Sequence, residues 1–140
     1  MQYVCDVPDG KTWFRIETDA EAVTESEAMK HAVEKFFRRE KDKALACYKP
    51  TSSAFIERDI GLKAHLDRAT PLFLTLRDRE GNPLATAMLP PGGREDQSFR
   101  VIIVGPSNSD PYPSQGDAIA ALGKHFALSL DREHCFPYGR

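Results

Sequence analysis

Between Pro71 and Gly105 the chain has few ways to fold. Leu72, Leu74 and Leu76 alternate with Phe73, Thr75 and Arg77, the period-two pattern of a strand with two distinct faces. Asp78 to Asn82 is a polar turn containing Gly81, and Leu84 to Leu89 returns as a second strand. Phe99 to Val104 is a third. Its run Val101-Ile102-Ile103-Val104 is apolar on both faces, as in a central strand covered on both sides.

A second hairpin opens the chain. Asp9-Gly10 is a two-residue turn signal, because both central positions of a type I′ turn need positive φ. With those residues as the loop, Val7 faces Thr12, Cys5 faces Phe14 and Tyr3 faces Ile16 on an apolar face. Asp6 with Trp13, Val4 with Arg15 and Gln2 with Glu17 make up a mostly polar one.

Helical signals fill the rest. Thr24 and Glu27 have capping-box spacing, and Met29, Ala32, Val33, Phe36 and Phe37 recur as one stripe, so a single helix is expected from Thr24 to about residue 47. Residues 51–70 read as a helix capped by Ser52 or Ser53, with a strand at Phe55–Ile60 followed by a short helix as the competing reading. The segment 90–97 combines two prolines, two glycines and charges, and should be a mobile excursion. A last helix is expected from near Ser114, with Asp117 at capping-box spacing and a stripe of Ile119, Leu122, Phe126 and Leu130. Gly123 within it implies close packing against a neighbouring backbone. Hairpin-linked strands and grouped helices give an α+β domain spanning residues 1–140: a mainly antiparallel sheet of about five strands with two or three helices packed on it.

Composition narrows the function classes. The 140 residues suffice for one core, and a net charge of −2 lacks the basic excess of a nucleic-acid binder. Cys5, Cys47 and Cys135 are odd in number and far apart, which is not a disulfide framework. The N-terminus has no signal-peptide pattern, and no apolar stretch reaches membrane-spanning length. The expectation is a cytoplasmic protein with reduced thiols and no membrane partner.

The chemistry-bearing residues do not assemble into a known pattern. Three cysteines and four histidines, His31, His65, His125 and His134, show no Cys-x-x-Cys, His-x-x-x-His or His-Glu-x-x-His spacing, so neither a metal nor a cofactor is implied. No base is placed beside a nucleophile by sequence. An apolar strand, then Gly105 to Ser109, then a helix N-terminus is the arrangement that can hold an anion or small ligand, with Ser107, Asn108, Ser109 and Ser114 as donors. Asp110 and Asp117 oppose an anion there, and no phosphate-loop glycine pattern is present. Trp13, beside Arg15 on the polar hairpin face, is either covered by another part of the chain or part of a contact surface. The reading is a non-catalytic interaction module with a protein partner, self-association included. The alternative is a small-molecule or anion-binding protein, or an enzyme, using the 105–114 segment.

Overall fold

A computed structural model describes residues 1–49 and 55–138, and for residues 55–58 the backbone alone. The order is β1 (Gln2–Val7), β2 (Lys11–Arg15), α1 (Asp19–Met29), α2 (Val33–Ala46), α3 (Phe55–Ala69), β3 (Leu72–Arg77), β4 (Pro83–Leu89), β5 (Ile102–Val104) and α4 (Tyr112–Phe126). The five strands form one antiparallel meander in chain order. This is the expected α+β class, with helices on both faces of the sheet.

Each face has its own core. Leu74, Leu76, Ala85, Ala87 and Ile103 join Trp13 against Ala118, Ile119 and Leu122 of α4. On the opposite face Ile16 and Phe73 pack with Ala22 of α1 and Phe37 of α2. The Phe37 and Phe73 rings meet edge to face, 5.3 Å apart.

The first hairpin is offset from the expected pairing by one residue near its turn and by two beyond a bulge between Tyr3 and Cys5. Val7 pairs with Lys11, Cys5 with Trp13 and Tyr3 with Phe14, so the loop holds Pro8, Asp9 and Gly10. Asp9 and Gly10 do have positive φ, 68° and 72°, as a turn of that type demands. Pro8 has no N–H to give to a ladder and joins the loop. A one-residue offset exchanges the faces. Trp13 is therefore fully buried, and its Nε1–H donates to the Ala118 carbonyl at 3.0 Å. The contact-surface reading of Trp13 is thereby corrected: α4 of the same chain covers it.

The expected helix over 24–47 is two helices. Thr18 and Glu21 form the capping box that starts α1, five residues before the expected start. The helix ends where Lys30 turns left-handed, φ 55°. Ser26 Oγ accepts from the Glu34 N–H at 3.0 Å and so caps α2 from within α1. The helix preferred for 51–70 is present as α3; its expected caps Ser52 and Ser53 lie outside the described residues.

The central strand is β3, with Leu72 to Leu76 all buried. The apolar run 101–104 holds the short edge strand β5, whose outer side is covered by the tail: Ile103 N–H donates to Phe136 O at 3.1 Å, and Phe136 N–H to Val101 O at 2.8 Å. The 90–97 segment is partly clamped. Gly93 is buried, and a Cβ there would collide with the Phe126 ring. α4 starts at Tyr112, whose N–H is held by Asp110 Oδ1 at 3.1 Å, in place of a cap at Ser114. Among the described residues no helix is long and apolar enough to cross a membrane.

Gly123 is buried where α4 turns back on itself. The Leu128 N–H reaches its carbonyl at 2.8 Å, and a Cβ at Gly123 would lie 2.8 Å from the Leu128 oxygen. Ala is the better helix former by about 1 kcal/mol. Gly123→Ala should nevertheless lower stability by about 1–3 kcal/mol, through overpacking. Urea unfolding checks it, and a gain in stability would refute the close approach.

Candidate functional site

Alternation places Phe73, Thr75 and Arg77 of β3 on the face away from α4, with Thr86 of β4 opposite Thr75 in register. α1 crosses this face with Ala22, Glu25, Ser26 and Met29 turned inward, one helical stripe whose middle is polar. Glu25 is fully buried. A lone carboxylate there would be strongly unfavourable, and two partners offset the loss of water. Arg77 Nη2 donates to Oε1 at 2.7 Å, and the Thr86 hydroxyl donates to Oε2 at 2.6 Å. Arg77 is satisfied throughout: Nε donates to Thr75 Oγ1 at 3.1 Å and Nη1 to the Gly81 carbonyl at 3.0 Å.

The chain of bonds continues to His31. Thr86 has a single proton, directed at Glu25, so its oxygen accepts from His31 Nε2 at 2.9 Å. That sets the tautomer and leaves Nδ1 as an acceptor, which the Val33 N–H approaches at 3.4 Å. The histidine thus joins the buried carboxylate to the first turn of α2. Burial lowers its pKa from the ordinary 6.5, with the nearby Glu25 charge pulling the other way.

His31 also walls an apolar pocket of about 70 Å³. Thr86 and Met88 of β4 and Ile102 and Val104 of β5 line it from the sheet, Val33 and Phe36 from α2, and Asn108 from the 105–110 loop. That loop is tightly wound: Gly105 N–H donates to Ser109 O at 2.7 Å, and Ser107 and Asn108 both sit in the left-handed region, φ 56° and 58°. Non-glycine residues there cost on the order of 1 kcal/mol each. The Asn108 amide makes no hydrogen bond among the described residues.

Of the expected ligand residues, Asn108 lines the rim of this pocket, and all four, Ser107, Asn108, Ser109 and Ser114, are exposed. Arg15 stands opposite Leu74 at the end of β2, its guanidinium 3.8 Å from Asp67 of α3. His125 is exposed and meets Phe126 edge to face, and exposed His134 pairs with Asp131 at 3.0 Å. Cys135 is buried facing Tyr112, and burial raises its pKa. Among the described residues no three potential metal ligands converge. Sequence reasoning missed Glu25, Arg77 and Thr86. For Arg77 and Thr86 a signal was there: same-face positions on β3 and β4 are polar within strands that otherwise bury apolar side chains.

Comparison with protein-family models, curated proteins and solved structures finds no match for the chain.

Removing one partner of a buried pair leaves the other uncompensated. Glu25→Ala should lower stability by about 3–5 kcal/mol, and Glu25→Gln by less, since the amide can still accept from Arg77 or Thr86. Equal losses in urea titrations would mean that the charge contributes nothing. His31 takes up its proton more readily unfolded than folded, so acid favours unfolding. Its contribution is intact above the ordinary pKa of 6.5 and is lost as pH falls from there through the lowered folded value. His31→Gln keeps a donor for Thr86 and should flatten the stability profile below about pH 6.5. An unchanged slope would show that other groups set it.

Proposed function

We propose that the chain is a small binding module without chemistry of its own, and that it recognises a compact apolar group with a hydrogen-bonding end in the pocket between the α1–α2 joint and the 105–110 loop. Asn108 carries the reading. It holds an uncommon backbone conformation at the pocket wall, and its amide offers both a donor and an acceptor that no described residue takes up. A few polar groups set into an apolar lining is the general form of a small-ligand site. Both His31 nitrogens are engaged within the protein, which supports binding over acid–base catalysis.

The pocket equally suits a side chain of a protein partner, including a second copy of this chain. Phe36 stands 38% exposed beside it, with the Arg39 guanidinium 4.8 Å from its ring centre. A net charge of −2 favours such partners over nucleic acid. Free Cys5, Cys47 and Cys135 fit a reducing, cytoplasmic setting.

The test is a titration of the ¹⁵N-labelled protein with isovaleramide and N-methylbenzamide, followed by NMR. The expected result is saturable shifts at Asn108, His31 and Thr86. Asn108→Gly removes the amide and suits positive φ, so it should change stability by no more than about 1 kcal/mol while abolishing the shifts. Shifts that bypass those residues, or persist in Asn108→Gly, would overturn the reading. Concentration-dependent dimerisation abolished by Phe36→Ser would identify a second copy as the occupant.

A further inference from the structure

A different cleft, about 190 Å³, opens where the end of β2 meets α2 and α3, and it shares only Phe73 with the pocket described above. Its apolar lining includes Ile16, Phe37 and Phe73, all nearly buried, and Leu66. Charged groups also line it: Arg15, Lys41 and Lys63 with Glu17 and Asp67, Lys41 being already paired with Asp19 at 3.7 Å.

Arg15 is the informative member. Its side chain is only 17% exposed, yet among the described residues its guanidinium makes no hydrogen bond, and its nearest carboxylate, Asp67, is 3.8 Å away. Arg77, 14% exposed, has every nitrogen bonded. The difference is not one of full burial without partners, because among the described residues no fully buried side-chain nitrogen lacks a hydrogen bond. The Arg15 nitrogens therefore retain access to open space, and Arg15 borders both this cleft and a space beside Tyr3 and His125.

We propose that this cleft binds a small monocarboxylate with a compact apolar body, such as an aryl or branched-alkyl acid. A carboxylate matches the guanidinium fork in a bidentate pair, the strongest geometry open to either group. A phosphate dianion would face Glu17 and Asp67 with twice the charge of a monocarboxylate. The body of the ligand covers the Phe37 and Phe73 edges, and the volume holds a ring or a branched chain rather than a long acyl tail.

Phenylacetate is the probe, with neutral phenylacetamide and inorganic phosphate as controls, and NMR shifts and calorimetry as readouts. Phenylacetate should bind saturably, with shifts at Phe37, Phe73 and Lys63, and both controls should bind at least about tenfold more weakly. Asp67→Asn removes the competing carboxylate and should tighten binding about fivefold. Arg15→Gln should weaken it at least about tenfold, and Lys63→Gln, an exposed change with little bearing on folding, about two- to fivefold. Arg15 and Asp67 also border a space on the other face, beside Tyr3 and His125. Shifts confined to Tyr3 and His125 would overturn the proposal. So would phenylacetamide shifting Phe37 and Lys63 as strongly as phenylacetate does, or Asp67→Asn and Lys63→Gln both leaving affinity unchanged.

Discussion

The buried carboxylate of Glu25 is the constraint around which one face of the molecule is arranged. A charge removed from water must find partners close and well directed, or the fold loses several kcal/mol. Glu25 has an arginine from β3 and a hydroxyl from β4, so it joins the helix above to two neighbouring strands below. Apolar packing tolerates small slides of a helix over a sheet. A bond of 2.6 Å and another of 2.7 Å to fixed points on adjacent strands do not. The pair thus sets the rotation and height of α1, beyond whatever it adds to net stability.

The consequences run along the chain. With α1 fixed, its C-terminal turn brings Ser26 and His31 to the start of α2, where they meet the Glu34 and Val33 N–H groups. Ala32, the residue before α2, has no side chain that can cap, so the cap is borrowed from the preceding helix. The position of α2 over the sheet follows, and α2 borders both clefts: Val33 and Phe36 on one side, Phe37 and Lys41 on the other. The other face obeys different rules. Its core against α4 is apolar, and directed bonds to α4 come from Trp13 to the Ala118 carbonyl and from Lys11 to Gln115.

How much of this was legible in the sequence depended on the kind of signal. Period-two alternation around a polar turn placed β3 and β4 to within a residue, because each strand has two unlike faces. The 101–104 run was legible as a strand, but not its place in the sheet. Its outer edge is paired through backbone bonds by residue 136, more than thirty positions away. The first hairpin failed by one residue at its turn: two positive-φ residues were legible, but not whether Pro8 belongs to the strand or the loop. That residue decided which way Trp13 faced.

The site was harder to read because its key element has no hydrophobic signature. The inward stripe of α1 is Ala22, Glu25, Ser26 and Met29, half of it polar, so a search for apolar periodicity begins the helix too late and runs through Lys30 and His31 without a break. On an unbroken helix His31 would be one turn among many. The left-handed Lys30 instead turns the chain so that the imidazole reaches Thr86. Asn108 could be singled out from its loop composition alone, but His31 and Thr86, which share its pocket, come from elements fifty-five residues apart in sequence. What joins them is a carboxylate with no room to be left unpaired. Polar residues at inward positions of otherwise apolar elements, here Glu25, Thr75 and Thr86, imply a common set of partners: Arg77 bonds both Glu25 and Thr75, and Thr86 bonds Glu25.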